Sequence, residues 1–215
     1  MKRAERARTV VERLSKRYGP SLVERIGAGD PYRVLVATIL SQRTRDEVTG
    51  RVSEAVFARW PTLASLAEAD EREILRTIRE VGFGPGKARH LAAAARKILT
   101  EHDGRVPATE KDLLELPGVG QKTAGCVLVY AFGEPAIPVD AHVHRISNLL
   151  RLVETRTPER TREELERLLP RRLWAPVNRV MVLFGREICL PRRPRCGRCP
   201  LADVCPSASQ ASAPK

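Results

Sequence analysis

Residues 113–133 read "LLELPGVGQKTAGCVLVYAFG" and limit the possible folds more than any other stretch. One helical pattern ends at Leu116 and another begins at Gln121, so only residues 117–120 connect them. Two apolar helices joined by four residues must fold back on each other. Gly118 and Gly120 can take positive φ and leave no side chain over the turn. Backbone N–H groups at such a turn and at the next helix start can converge on an anion, and a DNA phosphate fits. An ordinary tight helix connection also favours glycine, so the turn alone leaves both readings open.

The rest of the chain repeats the pattern of short helical segments between Gly and Pro. Asp30 followed by Pro31 opens a helix, with a polar break at 41–46 and a second helix ending before Pro61. Thr109 is placed to cap a short helix, and "GKARHLAAAARKILTEHDG" is an alanine-rich helix ended by Gly104. The basic start, "MKRAERARTVVERLSKRYG", reads as an amphipathic helix, because Glu5 and Glu12 and the lack of an apolar run do not suit a secretory signal. No alternating run is long enough to anchor a sheet, so the fold class is all-α. The tail "SASQASAPK" is expected to fray. No apolar stretch approaches the ~20 residues that span a bilayer, so no membrane partner is expected.

Lys and Arg number 38 against 26 Asp and Glu, a formal net charge of +12. A fold does not need that excess. A polyanion would use it, and nucleic acid is the usual one, although an arginine-rich proteome is the alternative source. Lys122 stands in the first turn of an apolar helix, where the helix's own partial positive charge opposes an ammonium. Only about 0.1% of an ordinary lysine amine is neutral near pH 7.5. Helix start and desolvation both favour the neutral, nucleophilic form. An amine beside a phosphate-gripping turn can attack C1′ of a bound nucleotide and form a Schiff base. The plainer reading is a surface lysine that contacts phosphate as a cation.

Asp140 directly precedes a helical run in "AIPVDAHVHRISNLL". It reads as an N-cap, or as a carboxylate that takes the amine proton and stabilises a cationic sugar. Both roles coexist only if separate carboxylate oxygens serve them. Cys189, Cys196, Cys199 and Cys205 are spaced C-x6-C-x2-C-x5-C. That indicates a metal centre in a reducing compartment, and the spacing suits a 4Fe–4S cluster or a zinc site. The intervening "PRRPR" and Arg198 add charge that suits a DNA backbone. Cys126 sits on an apolar helix and reads as a core residue.

Taken in order, "LPGVGQKTA", "VDAHVHR" and the cysteine spacing resemble the endonuclease III family of DNA glycosylases, within the helix–hairpin–helix superfamily, from about residue 10 to Cys205. The resemblance implies two helical lobes with DNA across the cleft between them. One is a six-helix barrel with the helix–hairpin–helix (22–133). The other joins residues 1–21 to 134–215 and holds a 4Fe–4S cluster on Cys189, Cys196, Cys199 and Cys205. It implies Lys122 as nucleophile, Asp140 as essential carboxylate, Gly118, Val119 and Gly120 in the phosphate-binding hairpin, and His142 near the pocket. The implied partner is double-stranded DNA carrying a damaged base or an abasic site, met by a cytoplasmic, nucleoid-associated monomer. The implied reaction is removal of oxidised pyrimidines followed by β-elimination. Adenine-specific mismatch glycosylases look similar but lack the lysine and carry a further C-terminal domain. Alternatives are an enzyme of different lesion range and a non-catalytic DNA-binding protein, which retention of Lys122 and Asp140 argues against; a zinc-stapled adaptor would be colourless.

The chain departs from the family pattern at "LSQRTRDEV" and "VGFGPGKA". With Asp46 aligned, Arg43 stands where many members carry the glutamine that fills the gap of the flipped base; a local alignment gives that task to Gln42. Phe83 matches an apolar wedge position, and Gly84 falls where a larger residue is common.

Overall fold

The Gly- and Pro-bounded apolar segments are helices in the computed structural model, which describes residues 1–208. In chain order they are α1 (Arg3–Arg17), α2 (Leu22–Gly27), α3 (Pro31–Ser41), α4 (Asp46–Arg59), α5 (Leu63–Ala67), α6 (Glu71–Thr77), α7 (Gly84–Glu101), α8 (Glu110–Leu114), α9 (Gln121–Phe132), α10 (Ala141–Leu149), α11 (Pro158–Leu168) and α12 (Trp174–Glu187). Short 3-10 turns occupy Arg171–Leu173 and Cys196–Arg198. There is no strand among the described residues. No described helix is long and apolar enough to cross a membrane. Most of the tail expected to fray, from 209 on, lies outside the described residues.

The helix starts follow the capping chemistry. Asp30 accepts from the N–H groups of Tyr32 and Arg33, and Thr109 from that of Asp112. One helix boundary differs from the sequence reading, since α8 stops at Leu114 instead of Leu116. The helix α2, six residues long, is too short to show a periodic stripe, and the sequence reading does not include it.

The chain divides into two compact units, Leu22–Glu134 and the remainder, Met1–Ser21 with Pro135–Lys215. In the first unit α3 is the spine. Every residue from Val34 to Leu40 is buried, because α2, α4, α7 and α9 pack around it. The alanine face of α7 lets α5 and α6 approach closely. The helix α9 buries 123–128, so its first turn is fixed by the core beneath it.

In the second unit α1 places Ala7, Val10, Val11 and Leu14 on one stripe, which is fully buried. The stripe packs against α12, whose Val177, Val180, Met181 and Phe184 are also buried. Polar groups secure the same arrangement: Arg13 donates to Asp203 at 2.6 Å, and Arg17 and Tyr18 both reach Glu187. Asn178 donates to the Pro138 carbonyl at 2.8 Å, which fixes the strand-free approach to α10.

Candidate functional site

In the first unit the turn at 117–120 is held from three sides. Gly118 has φ +80°, and a Cβ there would lie 2.8 Å from His90 Cβ, so backbone and space both demand glycine. Val119 is buried and anchors the turn in the core. Gln42, at the end of α3, donates through Nε2 to the Gly118 carbonyl at 3.1 Å and to Thr123 Oγ1 at 3.2 Å. Gly120 differs from the sequence reading. It has φ −104° and open space around a notional Cβ, so its absent side chain leaves the surface bare instead of relieving strain. As N-cap of α9 it offers no side-chain oxygen, and the first turn holds no acidic residue. A helix start without a capping side chain or an acidic residue is the kind of surface on which backbone N–H groups and the helix dipole favour an anion. Lys122 is the second residue of that turn and is half-buried.

Arg43 and Phe83 come together beside this turn. Both backbones are left-handed, at φ +51° and φ +60°. Each such non-glycine residue costs on the order of 1–3 kcal/mol and persists only where its surroundings impose it. The Arg43 guanidinium lies 5.2 Å from the centre of the Phe83 ring. Phe83 is 66% exposed, the most exposed large apolar side chain among the described residues. The structure directs Gln42 into the hairpin and presents Arg43 and Phe83 together at the surface.

In the second unit Asp140 caps α10. Its Oδ1 accepts from the N–H groups of His142 and Val143, each at 2.9 Å. The cap uses one carboxylate oxygen, Oδ1. His142 is half-buried against Gly185, where a Cβ would fall 2.5 Å from its Nδ1. Burial foremost, with Arg145 and Arg186, pushes its imidazole below the ordinary value against the pull of Asp140. Its buried Nδ1 has no hydrogen-bond partner.

Cys189, Cys196, Cys199 and Cys205 all line one cavity of about 280 Å3, walled by Leu150, Phe184 and Ile188. Burial first, and then the charges of the neighbouring cysteines, push the Cys196 and Cys199 thiols up. Four cysteine sulfurs lining one largely apolar cavity are the donor set of an iron–sulfur cluster, whose iron would hold them as thiolates. Polar donors already point at the sulfurs. The Leu201 N–H donates to Cys199 Sγ at 3.4 Å, and Arg145 donates to Cys189 Sγ at 3.5 Å and to its carbonyl at 2.6 Å. The residues present fit an iron–sulfur cluster. Arg192, Arg193, Arg195 and Arg198 are exposed on the same loop. Cys126 is buried in α9, as a core residue.

Sequence reasoning missed Lys87. It lies on the buried stripe of α7, and a lysine at an apolar-face position was the available signal.

Residues 36–171 match the HhH-GPD superfamily of base excision DNA repair proteins, and 189–205 match the iron-sulfur binding domain of endonuclease III. The chain is 45% identical over 201 residues to endonuclease III of Thermotoga maritima, covering 94% of this chain and 91% of that one. It is 41% identical over 205 residues to endonuclease III of Synechocystis, covering 95% and 93%. A solved structure described as a trapped endonuclease III–DNA covalent intermediate, an estranged-adenine complex, matches at 26% identity with a TM-score of 0.87, over 99% of this chain and all of that one. The iron-sulfur match decides what cysteine spacing left open between zinc and iron, and the cofactor is a 4Fe–4S cluster. With the uncapped hairpin and the four-cysteine cavity already in place, the chain belongs to the endonuclease III family of base excision DNA repair proteins.

Proposed function

We propose that this DNA glycosylase/AP lyase acts through Lys122 as nucleophile, on oxidised pyrimidines in double-stranded DNA and on abasic sites. The observation that carries the assignment is the position of Lys122, in the first turn of α9 beside amides that no side chain caps. The hairpin holds a DNA phosphate through backbone N–H groups of the turn and of α9. The target nucleotide leaves the stack, at a cost of a few kcal/mol that is lower for a damaged pair. The neutral Lys122 amine forms a bond to C1′, and the glycosidic bond breaks with its electron pair leaving on the base, which takes up a proton. The amine loses its proton as the ring opens to an imine. Removal of a C2′ proton then expels the 3′ phosphate. Asp140 is the essential carboxylate, a base whose charge offsets the positive charge on the sugar, while its Oδ1 caps α10.

Relatedness supports this reading. A structural relative is described as a trapped covalent intermediate with DNA, which requires a protein nucleophile there. Incubation with abasic DNA and borohydride tests it: a covalent protein–DNA species forms, whereas its absence alongside intact strand cleavage would assign the attack to water.

Cys189, Cys196, Cys199 and Cys205 are the ligands that hold the cluster. When bound, the cluster joins four points of one loop and adds a redox-capable centre. The purified protein is expected to be yellow-brown, and Cys199→Ser to lose colour, iron and solubility together. Metal analysis checks this; a colourless, active protein with one zinc per chain contradicts it. The exposed arginines of the loop supply backbone contacts.

Arg43 and Phe83 fill the gap left by the flipped base. Arginine offers five donors and no acceptor, so it favours an orphan base rich in acceptors, and guanine presents O6 and N7. Excision is expected to be faster opposite guanine than opposite adenine, and Arg43→Gln to remove that preference. Single-turnover excision of one lesion opposite each base decides the matter. A change of ranking in Gln42→Ala alone assigns the gap to Gln42.

A further inference from the structure

Lys87 carries a charge where the pattern of α7 calls for an apolar side chain. It is 4% exposed, and its Nζ donates to the Leu40 carbonyl at 2.7 Å, the Gln42 carbonyl at 2.6 Å and Thr44 Oγ1 at 3.0 Å. All three ammonium protons are therefore used. Two of the acceptors are carbonyls at the C-terminal end of α3, where the helix presents unpaired, partially negative oxygens. Burial pushes the Lys87 amine down to about 8, which the three acceptors tolerate because the site is built around a donor.

The placement of those acceptors is informative. Gln42 and Thr44 flank Arg43, so the ammonium grips the chain on both sides of the left-handed residue. Thr44 Oγ1 in turn donates to the Gln42 carbonyl at 3.2 Å, which narrows the turn further. On its own helix, the Lys87 N–H closes the first turn of α7 by donating to the Phe83 carbonyl at 3.1 Å. Gly82 completes the junction: a Cβ there would stand 3.0 Å from the Arg43 carbonyl, a tight contact that glycine avoids where the two turns meet. One residue thus fixes the backbone on both sides of Arg43 through its side chain, and the turn bearing Phe83 through its main chain.

We propose that Lys87 is the positioning residue that sets Arg43 and Phe83 in register, and that it thereby determines how the enzyme discriminates the base opposite the lesion. It touches neither substrate nor reacting atoms. The inference rests on the reading of Arg43 and Phe83 as the gap-filling pair. Stability alone does not account for the arrangement, because an apolar side chain at this stripe position would satisfy the core. What a hydrocarbon cannot do is hold three oxygens around an otherwise strained turn.

The test compares wild type, Lys87→Met, Thr44→Val, Arg43→Gln and Phe83→Ala in single-turnover excision of one oxidised pyrimidine opposite each of the four bases. Lys87→Met is expected to bring the guanine-to-adenine ratio toward one, as Arg43→Gln does, and to slow excision from duplex DNA by roughly tenfold, the scale of a sub-ångström misplacement. Borohydride trapping on a single-stranded abasic oligonucleotide, which has no opposite base, is expected to remain within about threefold of wild type. A wild-type ratio in Lys87→Met, with the ratio lost in Arg43→Gln, overturns the positioning role and leaves the gap-filling pair intact. A wild-type ratio in both Arg43→Gln and Phe83→Ala overturns the gap-filling reading, and the inference falls with it. If Lys87→Met does not fold, Thr44→Val removes one acceptor and retains the lysine; the ratio must move toward one there, and an unchanged ratio overturns the proposal.

Discussion

Lys122→Ala abolishes the borohydride-trapped complex and lowers strand cleavage at abasic sites by on the order of 10³-fold or more, about 4 kcal/mol of transition-state stabilisation. The substitution suits the helix. Alanine is the best helix former, and removing a cation from the second position of α9 relieves an unfavourable interaction with the helix start. The variant is therefore expected to keep its helical content, which circular dichroism checks. DNA binding, measured at fixed salt, is expected to weaken only a few-fold, because the turn grips phosphate through main-chain N–H groups that the substitution leaves in place. A large loss of binding with trapping retained would return Lys122 to the role of a phosphate contact.

Asp140→Asn lowers base excision by about 10²–10⁴-fold, the range of a positioned acid or base, while the protein stays folded. The cap explains why this substitution separates the two roles. Both cap bonds end on Oδ1, and asparagine presents a carbonyl oxygen at that position and caps as well as aspartate. Only the second oxygen changes, from a charged acceptor to an amide that neither takes a proton nor offsets a cation. Asp140→Ala provides the contrast, losing the cap as well, at about 1 kcal/mol of stability. Unchanged excision in Asp140→Asn would leave only the capping role.

Much of the architecture was legible because it is written in local chemistry. Asp30 and Thr109 cap as their positions require, and the stripe of α1 is buried as its spacing requires. The hairpin was legible for the same reason: only glycine suits φ +80° against His90. The two glycines nevertheless look alike in sequence and serve different ends, because φ at Gly120 is set by the start of α9 and not by its own identity. Long-range pairings were not legible. Gln42 and Gly118 are separated by 76 positions, and nothing near either announces the bond. The same holds for Lys87 and the end of α3, and for Arg145 and Cys189. The bonds that direct Gln42 into the hairpin are of the same long-range kind, and no residue near Gln42 in sequence announces them.

Lysine is rare here, seven of the 38 Lys and Arg residues, which makes the attacking amine unusually easy to locate. Lys87 is held by three oxygens and Lys97 is paired with Glu101. Peptide mapping by mass spectrometry of the borohydride-reduced complex with abasic DNA locates the new bond. The expected result is one modified peptide containing residue 122, uncleaved by trypsin after that lysine and carrying the mass of the reduced sugar remnant. Modification at any other lysine or at the N-terminal amine, with Lys122 unmodified, would contradict the assignment.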